Sequence, residues 1–177
     1  MPPEVADAPA GEVRRRVYRH VLAYPGVHLR GVEQHLGISS ALASYHLHAL
    51  EKGGWVRSYD MEGYTRWFPG PRSREAALTR RERRILGLLR EQAAFQTTLL
   101  LLERGEVSHG DLVAALGLAK STVSYHVARL ERAGLLRRRG DALVLADADL
   151  AEGLLLRYEP TPDLRSRFRR LWDDLYG

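Results

Sequence analysis

The sequence of 177 residues contains no cysteine. That absence excludes a disulfide framework, a thiolate metal site and a cysteine nucleophile together. Long apolar runs are also missing. The run from Leu99 to Leu102, like every other, falls far short of the roughly 20 residues that a membrane-spanning helix requires. The N-terminal stretch MPPEVADAPAGEVRRR has no apolar core, so no secretion signal is expected. No glycine-rich phosphate loop occurs. The seven histidines are scattered, none four residues from another on one helix, which speaks against a metal site within the chain. Neither a cofactor nor a metal is expected.

Lysine is scarce as well, because 25 of the 27 basic residues are arginine. Arginine's planar fork suits phosphate, to which it can donate two parallel hydrogen bonds. The net charge is +5, and it is unevenly spread. Residues 1–71 hold 8 basic and 7 acidic groups, residues 72–146 hold 14 and 8, and residues 147–177 hold 5 and 7. The positive charge therefore concentrates in the middle of the chain.

The chain also says much the same thing twice. Shifted by 80 positions, residues 30–57 and 110–137 share nine identities in 28 without a gap. Among them are Leu36/Leu116, Gly37/Gly117, Ser44/Ser124, Tyr45/Tyr125, His46/His126, Leu50/Leu130 and Gly54/Gly134. A repeat of this kind means two copies of one structural unit. In the first copy, Val13, Val17, Val21 and Leu22 fall at helical spacing over residues 12–24, and Pro25-Gly26 stops that helix. A short helix over 29–36 ends at Gly37, where a left-handed residue is easiest for glycine. Ser39 or Ser40 can cap a third helix reaching Lys52. Residues 55–59 and 64–68 are rich in aromatic and β-branched types and flank a turn over 60–63, which reads as a hairpin.

The second copy repeats the order. Thr79 and Glu82 form a capping-box pattern ahead of a long helical region that is expected to break near residues 92–96. A capped helix from Ser108 to Gly117, a third helix over 120–133 and a tighter hairpin about Arg139-Gly140-Asp141 follow. The spacing predicts a tail helix after Asp147. It predicts another after Thr161-Pro162, with an apolar stripe of Leu164, Phe168, Leu171, Trp172 and Leu175 that either packs on the second unit or forms a dimer seam. The expected layout is a flexible segment over 1–11, one domain over 12–71, a second over 72–146 and a helical tail over 147–177.

The third helix of each copy carries the functional signal. Val123, Val127 and Leu130, with counterparts Ala43, Leu47 and Leu50, lie on one face and are expected to anchor the core. The opposite face holds Lys120, Ser121, Ser124, Tyr125 and Ala128, matched by Ser40, Ala41, Ser44, Tyr45 and His48. Short polar side chains and a tyrosine let a helix sink into a major groove and meet base edges, thymine methyls and phosphates.

The segment STVSYHVARLERAGLLRR (121–138) resembles the third helix and wing entry of ArsR/MarR-like winged helix-turn-helix regulators. The family pattern is roughly Ser-x-x-Ser-x-His-Leu-x-x-Leu-x-x-x-Gly-Leu-Leu/Val. The second copy meets it with Ser121, Ser124, His126, Val127, Leu130, Gly134, Leu135 and Leu136. The first copy meets it with Ser44, His46, Leu47, Leu50, Gly54, Trp55 and Val56. The tandem resembles the two-winged-helix arrangement common among archaeal transcription regulators. The resemblance implies a mainly α fold with small β-hairpin wings, an α+β class, built as two tandem winged helix-turn-helix domains plus C-terminal helices. It implies no enzymatic activity and a double-stranded DNA partner, with the third helix in the major groove and the wing on the backbone.

Arg57 and Arg66 flank the first wing; Arg137, Arg138 and Arg139 enter the second. With Thr122 and Arg129 on the second recognition helix, these complete the expected DNA-binding set. Asp60 and Glu62 near the first wing tip repel phosphate, and Ser40 and Leu42 stand where the second copy has Lys120 and Thr122. The second domain is therefore expected to be the stronger reader. His46 and His126 are expected to be half-buried and hydrogen-bonded. Three readings stay open: a site-specific regulator, a DNA-coating architectural protein, or a protein-interaction module. A cytoplasmic, nucleoid-associated protein is expected, pairing as a homodimer through the apolar surface from Arg80 to Arg104 and the C-terminal helix.

Overall fold

The computed structural model describes residues 9–73, 77–158 and 160. The chain divides into two compact units, Met1–Leu78 and Thr79–Gly177. The expected helix over 161–176, with its apolar stripe, lies outside the described residues.

The first unit runs α1 (Glu12–Ala23), β1 (Val27–His28), α2 (Leu29–Leu36), α3 (Ser40–Lys52), β2 (Val56–Met61) and β3 (Tyr64–Pro69). Ser39 is the cap of α3, its hydroxyl accepting from the Leu42 amide at 3.2 Å. Gly37 ends α2 with φ 63°, the left-handed conformation only glycine adopts without cost. The core gathers the buried faces of all three helices: Val17 and Val21 from α1, Val32 from α2, and Ala43, Leu47 and Leu50 from α3. Trp67 of β3 closes it from the sheet side.

Two details differ from the expected hairpins. Each hairpin gains a third strand: in the first unit the antiparallel sheet has the order β1-β3-β2, with Val27 opposite Trp67. The first hairpin turn is also tighter than the acidic stretch suggested. Asp60 and Met61 remain in β2, paired with Thr65 and Tyr64, and only Glu62-Gly63 turn. Both turn residues have positive φ, 53° and 84°, as a two-residue turn matched to strand twist demands.

The second unit runs α4 (Arg80–Leu89), α5 (Gln92–Arg104), β4 (Glu106–Ser108), α6 (His109–Leu116), α7 (Lys120–Arg132), β5 (Leu136–Arg139), β6 (Ala142–Leu145) and α8 (Ala148–Arg157). Its sheet order, β4-β6-β5, repeats the first. The shift of 80 carries α1 onto α5, α2 onto α6 and α3 onto α7, and α4 and α8 have no counterpart among the described residues of the first unit. The reciprocal cap at Thr79 and Glu82 starts α4, and Asp147 caps α8 by accepting from the Leu150 amide at 3.1 Å.

The expected break in the long helical region falls at Arg90-Glu91, just before residues 92–96. Beyond it, most of α5 is buried, with Gln92, Gln96 and Glu103 forming its polar side. Ala93, Ala94, Phe95, Leu99, Leu100 and Leu101 are buried, and the hydroxyls of Thr97 and Thr98 donate back to the carbonyls of Ala93 and Ala94 at 2.8 and 2.9 Å. Its wide apolar surface must be covered, and α4, α6, α7 and α8 pack against it. The expectation of an apolar dimer surface from Arg80 to Arg104 is therefore corrected, because those side chains are consumed inside the chain's own fold.

Candidate nucleic-acid interface

In α7 the core anchors Val123, Val127 and Leu130 are fully buried. Lys120, Ser121, Ser124 and Tyr125 are consequently turned outward and exposed, with Thr122 half-buried beside them. Tyr125 stands 54 % exposed, an unusual position for a large aromatic ring. The Ser124 hydroxyl meets Nε2 of His109, the first residue of α6, at 3.1 Å. Ala119, preceding α7, offers no side-chain cap, and Lys120 occupies the first turn. A cation there is unfavourable to the helix dipole, which fits a side chain kept for an external anion.

The wing follows directly. Arg137, Arg138 and Arg139 are exposed on the four-residue strand β5. Arg138 pairs with Glu131 at 3.1 Å and Arg139 with Glu106, both arginines more than half exposed. Such surface pairs contribute about 0–1 kcal/mol, little enough for a phosphate to displace them.

The first unit presents the matching helix face without the charge. Ser40, Tyr45 and His48 are exposed and Ser44 is half-buried. His48 Nδ1 lies 2.8 Å from the Ser44 carbonyl oxygen and 3.3 Å from its hydroxyl, and its ring meets the Trp67 ring edge-on. Arg57 is exposed, as are the acidic tip residues Asp60 and Glu62.

A model described as an N-terminal HTH domain matches residues 11–84, and the model of the MarR family matches residues 78–143. The chain is a tandem winged-helix DNA-binding regulator. Its second domain is of the MarR type. No curated protein and no solved structure matches the chain. Among the described residues, no helix is long and apolar enough to cross a membrane, and none of their His, Asp and Glu side chains cluster as metal ligands.

Within this winged-helix regulator, two of the expected DNA contacts are corrected. Arg66 is 4 % exposed and donates to the Gly26 carbonyl at 3.0 Å, tying β3 to the end of α1. Arg129 is also 4 % exposed. It forms a two-bond fork with the Glu91 carboxylate, one bond at 2.9 Å, and its guanidinium lies 5.0 Å from the centre of the Tyr125 ring. Both arginines are drawn inside by partners about 40 residues away in sequence, which helix periodicity does not reveal. Arg129 thus stands behind Tyr125 rather than beside it. Sequence reasoning missed Glu91 and His109. Glu91 sits at the α4–α5 break, where a helix-start position was the only available hint.

The two repeat histidines are half-buried as expected, but the hydrogen bonds expected for them are absent. Nδ1 of His46 and of His126 is enclosed without a hydrogen-bond partner. The Glu91 carboxylate lies 3.7 Å from His126 Nδ1, beyond bonding reach. Burial holds both rings below their ordinary value of 6.5; Arg14 adds to this at His46, while at His126 Glu91 opposes it and Arg129 adds to it.

The sign of the effect on stability follows. The unfolded chain takes up these protons near 6.5, whereas the folded chain resists them. Stability is complete above about pH 6.5 and declines as pH falls through the lower folded values. Urea midpoints are expected to drop between about pH 7.5 and pH 5.5, and His46→Asn with His126→Asn is expected to flatten that drop. An equally steep drop in the double variant would assign it to groups other than these two rings.

Proposed function

We propose that the second domain is the principal reader of duplex DNA, with α7 in the major groove and the β5–β6 wing along the phosphate backbone. Its contacts are Lys120, Ser121, Thr122, Ser124 and Tyr125 on the helix and Arg137, Arg138 and Arg139 on the wing. The single observation that carries this is a juxtaposition: an outward helix face of short polar residues and one tyrosine precedes a strand of three exposed arginines. Base edges select the helix face and phosphates select the wing. In the first domain, Ser40, Ser44, Tyr45, His48 and Arg57 form a weaker version beside an acidic wing tip.

The regulator reading is tested by competition. Genomic fragments captured by the full chain should yield a site preferred over random duplex by on the order of 10³-fold or more. A protein that merely coats DNA would show little preference, and a docking module would ignore duplex even at low salt.

A further inference from the structure

The two units treat their first helix in opposite ways. In α5 the positions facing away from the recognition helix are apolar and covered: Phe95 is 1 % exposed and Leu99 7 %. Their counterparts in α1, 80 residues earlier, are Arg15 and Arg19, and both are exposed. Arg16, beside them, is exposed too, where the second unit has Gln96. Arg14, half-buried, lies instead on the α3 side of the helix, near His46. The buried residues Val17, Tyr18 and Val21 lie on the other face of α1 and pack toward α3. No helix corresponding to α4 or α8 exists among the described residues of the first unit, and Arg15, Arg16 and Arg19 stand exposed.

Exposed Glu12 shares that face and offsets one of its positive charges. Among the described residues, no carboxylate pairs with Arg15, Arg16 or Arg19, and the Arg16 guanidinium donates to the Leu36 carbonyl at 3.1 Å. Elsewhere in the unit the exposed cations are scattered singly, as Arg30, Lys52, Arg57 and Arg72. Arg66 is buried, the wing tip carries Asp60 and Glu62, and the outward face of α3 carries neither arginine nor lysine. The attraction of the first unit for an anion is thus centred on α1 and not on its wing.

We propose that the outer face of α1, through Arg15, Arg16 and Arg19, is a sequence-independent binding surface for the phosphate backbone of duplex DNA. Arginine forks one helical turn apart present paired donors to successive anionic oxygens. The surface is separate from the α3 face, since α1 turns its opposite side to α3. It gives the first domain a role in holding DNA that does not require its recognition helix to read bases. The inference rests on the DNA-binding function proposed for the chain.

The test uses the full chain and a random-sequence duplex of about 30 base pairs, with affinity measured across a salt series. Arg15→Gln with Arg19→Gln keeps helix propensity and leaves the Arg16 bond intact. Each phosphate that is no longer neutralised lowers the slope of log K against log salt by about 0.9, so the double variant should lower it by about two. Arg80→Gln with Arg104→Gln removes the same net charge from exposed positions in the other unit and should leave the slope unchanged. An equal fall in that control overturns the proposal. So does an unchanged slope in the α1 variant when Arg137→Gln with Arg138→Gln lowers it, and the face then belongs to an acidic protein. Failure of the unmodified chain to bind duplex at low salt overturns the DNA-binding function itself, and this inference with it.

Discussion

Alanine at Arg137, Arg138 and Arg139 together is expected to weaken duplex binding on the order of 100-fold at moderate salt, while alanine at Arg57 costs a fewfold at most. The three wing arginines share one four-residue strand, and side chains alternate faces along it. Arg137 and Arg139 therefore point together and Arg138 opposite, so at least two can reach one backbone. Losing them should lower the salt slope by about two. The Glu131 and Glu106 carboxylates that hold Arg138 and Arg139 do not prevent this, because exposed pairs contribute at most about 1 kcal/mol and a charge-assisted phosphate bond replaces each one. Arg57 has Asp60 and Glu62 for neighbours on the same hairpin. The measurement is a salt series on each variant with circular dichroism to verify folding. Equal losses from the two wings would reject the ranking of the domains. Arg66 has no place in the comparison, since its removal strips the Gly26 carbonyl of a buried donor.

Much of this arrangement was legible because local rules determine it. The spans of α2 and α3 follow from a glycine stop at Gly37, a serine cap at Ser39 and an apolar stripe of Ala43, Leu47 and Leu50. The duplication repeated the glycine stop at Gly117 and the apolar stripe of Val123, Val127 and Leu130, though not the serine cap. What was illegible depends on partners remote in sequence. Strands β1 and β4 span two and three residues, too few for alternation to register, and exist because β3 and β6 offer them an edge. The acidic stretch at 60–63 looked like a four-residue loop, yet Thr65 donates to Asp60 at 2.8 Å and keeps it in the strand. An arginine read on a helical wheel is simply a cation; only the folded chain shows that Arg129 faces a carboxylate placed at the break between α4 and α5. The wing and α7 were the readable part of the site. The support behind them was not.

That support leads to the second large effect. Replacing Glu91 with glutamine should destabilise the second domain by about 3 kcal/mol, because the Arg129 guanidinium, 4 % exposed, keeps its charge while losing the opposing charge and one of its two acceptor oxygens. The carboxylate itself is partly open, at 26 % side-chain exposure, which places the cost at the lower end of the range for buried pairs. The first domain has Gly11 and Ala49 at these positions and so serves as an internal reference. In a thermal or urea scan, only the transition of the second domain should move, by about 10–15 °C for a unit of this size. Arg129→Met combined with Glu91→Gln should recover most of the loss, because a buried ion pair exchanged for apolar packing is often neutral. The same pair underlies the Tyr125 ring, so Glu91→Gln should also reduce the preference for a specific site over random duplex. It should leave the salt slope unaltered, since Arg129 faces the ring and the carboxylate and not a phosphate. A reduced slope would return Arg129 to the DNA backbone. An unmoved second transition would mean that the carboxylate contributes nothing to holding the recognition helix.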